Sequence, residues 1–332
     1  MFIPDGIYYE QGIEDYQLGK ELLDKYKDVP KKVIENHNNI EEMRKKGNSE
    51  FAKMKRNLII GTRKTHKYVE NHKVSDFLVP YTSSGCTAMC MYCYLVCNYN
   101  KCAYLRLFVN REQMLEKIIK TANKSENNLT FEIGSNSDLI LENTITNNLV
   151  WTIENFRNSS KGMLTFPTKF DMVEPILNLD HQGKVIARMS VNPEDIINKV
   201  EFGTSRLNGR IEAINKLADA GYKVGILIAP IILFDNWKEL YDGLLKELQA
   251  KLTSKAKKNV FFELIFMTYS YIHRMINNDA FPMAINLYNP DLMTGRGKGK
   301  YTYKKIVRED GEKFMRDIMH KYFPKNKILY IS

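Results

Sequence analysis

Three cysteines lie close together in one short segment and have the chemistry to bind an iron–sulfur cluster. Cys86, Cys90 and Cys93 follow the spacing C-x3-C-x2-C, with the aromatic neighbours Tyr92 and Tyr94. Soft thiolate ligands suit iron–sulfur centres, and three of them can bind three irons of a cubane [4Fe–4S] cluster. The fourth iron then has no protein ligand and is open to a small molecule.

Zinc binding and disulfide formation are the competing interpretations of these cysteines. Structural zinc sites usually combine one C-x2-4-C pair with a second, distant pair. All five cysteines of this chain lie between Cys86 and Cys102. A chain of 332 residues can bury enough apolar surface to fold without disulfides. The spacing therefore favours the cluster, with zinc as the main alternative.

The composition predicts a globular protein with a polyanionic partner. The chain is 44% hydrophobic and 27% charged, with 49 basic and 39 acidic residues and a formal net charge of +10, a balance that favours phosphate backbones. It begins with neither a basic n-region nor an apolar h-region, and no apolar stretch reaches the ~20 residues that span a bilayer. We expect a cytoplasmic protein with no membrane partner, and a monomer because no clear dimer patch is evident.

The order of predicted elements indicates an α/β fold. From about residue 80 onward, strands alternate with helices, which is typical of βα units and a parallel sheet. The predicted strands are 76–80, 104–109, 129–133, 162–168, 185–191, 222–229 and 259–267. The predicted helices are 111–122, 148–158, 206–220 and 235–252.

Five or six such units make a partial TIM-type (β/α)6 barrel. We predict an N-terminal α/β extension (1–75), the partial barrel (76–270) and a C-terminal region (271–332). Chemistry in such barrels takes place at the carboxyl ends of the strands. The cysteine segment lies at such an end, as do Ser137, Lys169, Ser190 and Ala229.

The C-terminal region contains a basic, glycine-rich segment at 295–305. Arg296, Lys298 and Lys300 alternate with glycines and precede Tyr301 and Tyr303, a pattern that predicts a β-hairpin. Aromatic faces can stack on exposed bases while cations bind phosphate. We predict nucleic-acid binding here, the alternative being a basic hairpin that stays solvated.

These motifs together resemble a known family. The cysteine spacing is similar to that of radical S-adenosylmethionine (SAM) enzymes, in which the open iron binds SAM. With Tyr94, the Ser-x-Ser-Asp loop that ends at Asp138, Lys169 and the hairpin, the chain resembles the spore photoproduct lyases, DNA-repair enzymes of endospore-forming bacteria. The resemblance also includes the segments 203–205, 210–213, 229–231, 262–264 and 323–324.

The resemblance implies a function and its cofactors. It implies direct reversal of 5-thyminyl-5,6-dihydrothymine, a lesion of ultraviolet-damaged double-stranded DNA, to two thymines by a carbon–carbon lyase. The cofactors would be a [4Fe–4S] cluster and SAM. The electron donor would be a ferredoxin or flavodoxin, and the location the spore core of an endospore-forming bacterium.

The resemblance also implies roles for individual residues. Ser137, Lys169, Ser190 and Ala229 match SAM-contacting positions. An ammonium group and hydroxyls are suitable partners for the methionine carboxylate. Capping of a neighbouring helix is the alternative role for the two serines. Tyr92 and Tyr94 match tyrosines that transfer the radical, and packing against the cysteine segment is the alternative, above all for Tyr92.

The chain departs from the family at the position of the hydrogen donor. Ser135 aligns with the cysteine that gives a hydrogen atom to the product radical. A serine O–H bond is too strong for that role, so either the protein is impaired or another thiol serves. Cys97 and Cys102 are the candidates, and we prefer Cys97 because it lies close to Tyr94. Alternatively, each of these cysteines is only a small, buried apolar side chain that packs in the core.

The hairpin departs from the family as well. Where the family has Arg-Tyr, this chain has Arg296 followed by Gly297. Tyr301 or Tyr303 is therefore expected to replace the missing aromatic ring. Extrusion of the damaged bases is still expected, because the radical must reach C6 of the lesion.

Two other functions remain open from the sequence. One is a radical SAM enzyme that acts on a peptide or RNA. The other is a zinc-bearing DNA-binding protein without enzymatic activity. Substrate assays separate the first from DNA repair, and metal analysis separates the second.

Overall fold

A run of parallel strands forms the central sheet of the computed structural model, which describes residues 2–98 and 103–332. The strands are β1 (Gly6–Glu10), β2 (Lys31–Ile34), β3 (Asn57–Gly61), β4 (Val69–Glu70), β5 (Phe77–Leu78), β6 (Ser83–Ser84), β7 (Met89–Cys90), β8 (Arg106–Phe108), β9 (Thr130–Glu132), β10 (Met163–Thr168), β11 (Val185–Val191), β12 (Glu201–Phe202), β13 (Lys223–Ile231), β14 (Phe261–Phe266), β15 (Tyr269–Ser270), β16 (Met293–Gly295), β17 (Lys300–Tyr303) and β18 (Ile328–Ile331).

The helices precede, cover and connect these strands. They are α1 (Gln17–Lys25), α2 (Glu41–Lys45), α3 (Phe51–Met54), α4 (Leu95–Asn98), α5 (Arg111–Lys124), α6 (Leu139–Thr146), α7 (Asn148–Phe156), α8 (Glu194–Val200), α9 (Leu207–Asp219), α10 (Trp237–Lys251), α11 (Ser254–Asn259), α12 (Tyr271–Ala280) and α13 (Lys305–Tyr322), with 3-10 turns at Ile13–Asp15, Asn48–Glu50 and Glu174–Ile176. Side chains cap several of them, and the carboxylate of Asp138 accepts a hydrogen bond from the Leu141 amide at the start of α6, where backbone N–H groups lack helical partners.

The central sheet is the predicted partial barrel. Its strand order is β18-β14-β13-β11-β10-β9-β5-β4, and all neighbours from β5 to β18 pair in parallel. The inner strands are buried almost throughout, as expected for a parallel sheet covered on both faces. The α/β class and the half-barrel are confirmed, and β18 is an additional strand that the sequence did not predict.

A second sheet, of order β2-β1-β3-β8-β6, lies in the N-terminal part of the chain. The predicted strand 104–109 does exist as β8, but its assignment to the barrel is wrong, because β8 pairs with β3 and β6. Leu105, Leu107 and Val109 pack in the core of this sheet against Leu18 and Leu22 of α1. An apolar strand pattern does not specify which of two sheets it will join.

The three predicted regions contribute strands to one another's sheets. Strands β6 and β8 complete the N-terminal sheet, and β18 returns to the barrel beside β14. The boundaries at 75 and 270 stay predictions. Between β14 and β18 the chain forms a three-stranded sheet of order β15-β17-β16 and the helix α12.

Candidate active site

The cysteine segment is fixed between the two sheets. Gly85 has φ of 80°, and a Cβ atom there would lie 2.0 Å from the Tyr104 carbonyl oxygen, so only glycine fits. The buried ammonium of Lys55 donates to the carbonyl oxygens of Cys86 (2.8 Å) and Ala103 (3.1 Å). On the barrel side, β7 pairs with β12, with Cys90 opposite Glu201. The sequence therefore folds into a loop held at both ends.

The three thiols are free and partly buried. Burial raises the pKa of Cys86 to about 12, and burial also raises the pKa of Cys90 well above its usual value. Neutral thiols thus need a bound cation to become thiolates. Among the residues that the structure describes, no group of three or more His, Cys, Asp or Glu side chains is arranged so that it could bind a single metal ion. A cluster needs no such arrangement, because each cysteine binds a different iron.

Lys169, Ser190 and Ala229 meet at the carboxyl ends of β10, β11 and β13. The Lys169 ammonium donates to the Ser190 hydroxyl at 2.5 Å and to the Ala229 carbonyl oxygen at 2.9 Å. Ser190 in turn donates to the same carbonyl at 3.0 Å. These three residues from separate strands form one polar cluster because parallel strands end at the same edge of a barrel.

Ser137 lies on the neighbouring strand end but outside this cluster. It forms an isolated parallel bridge with Gly85, and its hydroxyl lies 2.6 Å from that of Ser83. The next residue, Asp138, accepts from the Lys169 amide at 2.9 Å and from the Thr168 hydroxyl at 2.8 Å. The capping role at α6 thus belongs to Asp138 rather than to Ser137.

Glu201 is a central residue of the site that the sequence analysis did not identify. Its carboxylate, fully buried, accepts hydrogen bonds from Arg210 (2.6 Å), Asn192 (2.9 Å) and the Tyr92 hydroxyl, and lies 3.8 Å from the Lys169 ammonium. Burial alone would raise the pKa of Glu201, but the charges of Lys169 and Arg210 outweigh it and lower the pKa to about 2. The sequence does offer one sign of this role, because Glu201 lies between the apolar residues Val200 and Phe202. A carboxylate in such a position is expected to be buried, and buried charges are normally paired.

The two predicted relay tyrosines have different environments. The Tyr92 hydroxyl is bound to Glu201, its ring centroid lies 5.6 Å from the Lys169 ammonium, and burial raises its pKa well above the usual value. Tyr94 is 50% exposed. Tyr92 therefore has a defined packing and hydrogen-bonding role beside the loop, whereas the Tyr94 side chain is half exposed.

Cys97 lies on α4, and its thiol contacts α12. The sulfur lies 3.3 Å from the Ser270 hydroxyl and 3.6 Å from His273 Nε2. His273 Nε2 is also 3.0 Å from the Cys93 carbonyl oxygen, and Ser270 Oγ is 3.0 Å from His273 Nδ1. Cys102, the other candidate thiol, lies outside the described residues. Ser135 is part of the turn before Ser137 and is partly buried.

The predicted hairpin forms from β16 and β17, and β15 adds a third strand. Arg296, Lys298 and Lys300 are exposed at its turn. Tyr303 is buried, and its hydroxyl accepts from the Leu233 amide at 2.9 Å, so the expectation that it replaces the missing ring is wrong. Tyr301 is half-buried, with its ring centroid 4.6 Å from that of Tyr288.

No helix in residues 2–98 and 103–332 is both long and apolar enough to cross a bilayer.

A curled parallel half-barrel that presents three cysteines in the loop after its first strands defines the radical SAM class of enzymes. Within that class, the family model described as spore photoproduct lyase matches residues 2–332. The chain belongs to the spore photoproduct lyase family.

Individual relatives support this assignment over the full length. The chain is 32% identical to the spore photoproduct lyase of Bacillus subtilis over 100% of this chain and 99% of the relative, and 28% identical to that of Clostridium acetobutylicum over 98% of each. A solved spore photoproduct lyase variant with bound AdoMet and dinucleoside spore photoproduct is similar at a TM-score of 0.92 and 29% identity, over 100% of this chain and 99% of that one.

Proposed function

We propose that this chain is a spore photoproduct lyase, which converts 5-thyminyl-5,6-dihydrothymine in DNA back to two thymines by radical chemistry with SAM. One observation carries the proposal. The chain is similar, over its whole length, to a lyase with bound AdoMet and dinucleoside spore photoproduct. The cysteine loop and the Lys169 cluster, which such a reaction requires, lie side by side here, because Glu201 pairs with Cys90 across β7 and β12 and also lies 3.8 Å from the Lys169 ammonium.

Cys86, Cys90 and Cys93 are the proposed ligands of a [4Fe–4S] cluster. They are free thiols on one loop, and soft sulfur donors suit iron–sulfur centres. When bound, the cluster supplies the electron that splits SAM into methionine and a 5′-deoxyadenosyl radical. Lys55 holds the loop backbone at the Cys86 carbonyl, so the loop does not depend on the cluster alone for its shape.

Lys169, Ser190, Ala229 and Ser137 are the proposed SAM-binding residues. The ammonium of Lys169 suits the methionine carboxylate, and the hydroxyls of Ser190 and Ser137 suit its remaining polar atoms. The Ala229 carbonyl oxygen is an acceptor for a donor group such as the amino group. The existing contacts among Lys169, Ser190 and Ala229 hold these groups in place before SAM arrives, which lowers the cost of ordering them.

Repair then needs two hydrogen-atom transfers. The adenosyl radical takes a hydrogen atom from C6 of the lesion, and the carbon–carbon bond of the methylene bridge breaks to leave one thymine and one thymine radical. Cys97 is the proposed donor of a hydrogen atom to that radical. Tyr94, with Tyr92, would pass a hydrogen atom from 5′-deoxyadenosine to the Cys97 thiyl. The adenosyl radical formed in this way would rejoin methionine as SAM, and the electron would return to the cluster.

The proposed partners follow from surface charge and from the family. Ultraviolet-damaged double-stranded DNA is the proposed substrate, held at Arg296, Lys298, Lys300 and Tyr301. A ferredoxin or flavodoxin is the proposed electron donor, and the chain is proposed to act as a monomer. Its relatives come from spore formers such as Bacillus subtilis, which supports the cytoplasm and spore core as its location.

Anaerobic reconstitution followed by a repair assay tests the proposal. The protein is loaded with iron and sulfide, reduced with dithionite, and incubated with SAM and the dinucleotide lesion. We expect brown protein with about four irons per chain, 5′-deoxyadenosine formation and release of thymine. Colourless protein that holds zinc, or loaded protein that cleaves SAM but leaves the lesion intact, would refute the proposal.

A further inference from the structure

The hairpin lacks a freely exposed aromatic ring of its own. Position 297 in the turn is a glycine, Tyr303 is buried, and the half-buried Tyr301 ring packs against Tyr288, with their centroids 4.6 Å apart. Exposed bases that leave a duplex are usually stacked on aromatic side chains. A freely exposed aromatic surface must therefore come from a neighbouring element.

Tyr271 lies directly beside the hairpin turn and is exposed. Its amide donates to the Gly299 carbonyl oxygen at 2.8 Å, and a Cβ atom on Gly299 would lie 3.6 Å from the Tyr271 Cβ. The preceding residue, Ser270, pairs with Lys300 in the sheet. The Tyr271 side chain is 55% exposed, so its ring borders the turn and is open to a ligand.

Tyr271 belongs to an apolar surface on α12. Ile272 and Met275 are 41% and 43% exposed on the same helix. Exposed apolar side chains grouped in this way mark binding sites more often than isolated ones do. The turn with Arg296 and Lys298 adjoins Tyr271, so the apolar surface has a cationic turn at one end. A ligand with both bases and phosphates needs this combination.

The opposite face of α12 is bound to the cysteine loop. His273 Nε2 lies 3.0 Å from the Cys93 carbonyl oxygen, and the Asn277 side-chain amide donates to the Met91 carbonyl oxygen at 2.8 Å. Both residues are buried. One helix thus connects the cysteine loop to the exposed ring, and a base stacked on Tyr271 is held at a set position relative to the loop.

We infer that Tyr271 is a substrate-binding residue that stacks on a base unstacked from the DNA at the lesion, and that Ile272 and Met275 extend this surface. The hairpin cations hold the adjacent phosphates. The inference rests on the proposed function, because it takes lesion-containing DNA as the occupant. It assigns to α12 an exposed aromatic contact in addition to the half-buried Tyr301 of the hairpin.

Binding of a duplex with and without one spore photoproduct tests the inference. Reconstituted protein is titrated anaerobically, without reductant so that no turnover occurs, against fluorescein-labelled duplexes of equal sequence. Tyr271→Ala removes the ring, Tyr271→Leu keeps apolar area without a ring, and Tyr271→Phe keeps the ring. Val69→Ala, at an exposed position on the edge strand β4, is the control.

We expect Tyr271→Ala and Tyr271→Leu to bind the lesion duplex about 10-fold more weakly, with undamaged duplex binding changed less than about 2-fold. Tyr271→Phe and Val69→Ala should match the unaltered protein. If Tyr271→Ala retains full preference for the lesion, the inference is wrong and the lyase proposal is unaffected. If the unaltered protein itself shows no lesion preference and no repair, the proposed function fails and the inference fails with it.

Discussion

The guanidinium of Arg210 lies 2.6 Å from the carboxylate of Glu201, and neither side chain is exposed to solvent. Arg210 also donates to the Ser190 carbonyl oxygen at 2.9 Å. Through Glu201, the pair is connected to Tyr92 beside the cysteines and to Lys169. A buried ion pair therefore joins the cysteine loop to the proposed SAM-binding residues.

Removing one member of this pair should strongly destabilise the protein. Arg210→Met leaves the Glu201 carboxylate buried without its main partner, which typically costs about 3–5 kcal/mol. Urea denaturation at pH 7 measures the loss. Arg206→Met, in an exposed pair with Glu194, is the control and should cost less than about 1 kcal/mol. Equal effects of the two substitutions would contradict the central role of Arg210.

Acid should reduce the contribution of Glu201 to stability. The pKa is about 2 in the folded protein against an ordinary value of 4.5 for a glutamate, so the charged form favours folding above pH 4.5, and this stabilisation is lost as the pH falls towards 2. The slope is about 1.4 kcal/mol per pH unit within that window. Denaturation of metal-free protein and its Glu201→Gln variant should therefore show a stability difference that shrinks below pH 4.5. A constant difference would argue against a lowered pKa.

Lys169→Met should weaken SAM binding by about 10- to 100-fold, because a hydrogen bond to a charged group is lost. Isothermal titration with SAM measures the effect. The matched control is Lys184→Met, which also removes an ammonium that donates to carbonyl oxygens, here those of Arg157 and Ser159. Lys184 lies just before the amino-terminal end of β11, whereas Lys169 lies at the carboxyl ends of the strands. SAM affinity should therefore not change in Lys184→Met. Unaltered affinity in Lys169→Met would exclude Lys169 from the SAM site.

Cys97→Ala should separate SAM cleavage from clean repair. We expect 5′-deoxyadenosine formation to continue while the thymine radical, without a hydrogen donor, is diverted to adducts. Product analysis by mass spectrometry distinguishes the outcomes. Cys102→Ala is the parallel variant. Clean repair by Cys97→Ala would refute the assignment of Cys97, and adducts from Cys102→Ala alone would transfer the role to Cys102.

Substitution of Arg296, Lys298 and Lys300 together by Ala should weaken DNA binding and its salt dependence. Each lost phosphate contact lowers the slope of log affinity against log salt by about 0.9, so three contacts lower it by about 3. A triple variant of Lys199, Lys216 and Lys251 to Ala has the same charge change on the outer helices α8, α9 and α10. If both triple variants reduce the slope equally, the hairpin cations do not contact DNA specifically.

Local patterns predicted the half-barrel and part of the site. Buried parallel strands appear as apolar segments, and helices between them appear as amphipathic ones, so six barrel strands were predicted close to their observed positions. The same pattern placed Lys169, Ser190 and Ala229 at the ends of strands, whereas their proposed role in SAM binding came from the resemblance to the family. Strand 104–109 was assigned to the wrong sheet, because an apolar pattern is the same in either one.

The sequence by itself determined the three-cysteine spacing, the glycines of the hairpin turn and the basic charge, since each depends on residues close together in the chain. The tertiary structure alone decided the partners of Glu201, the burial of Tyr303 and the exposure of Tyr271. Tyr92 and Glu201 are 109 positions apart, and burial depends on which distant elements pack together. Such contacts arise only when the sheets close around the site, because no local pattern encodes them.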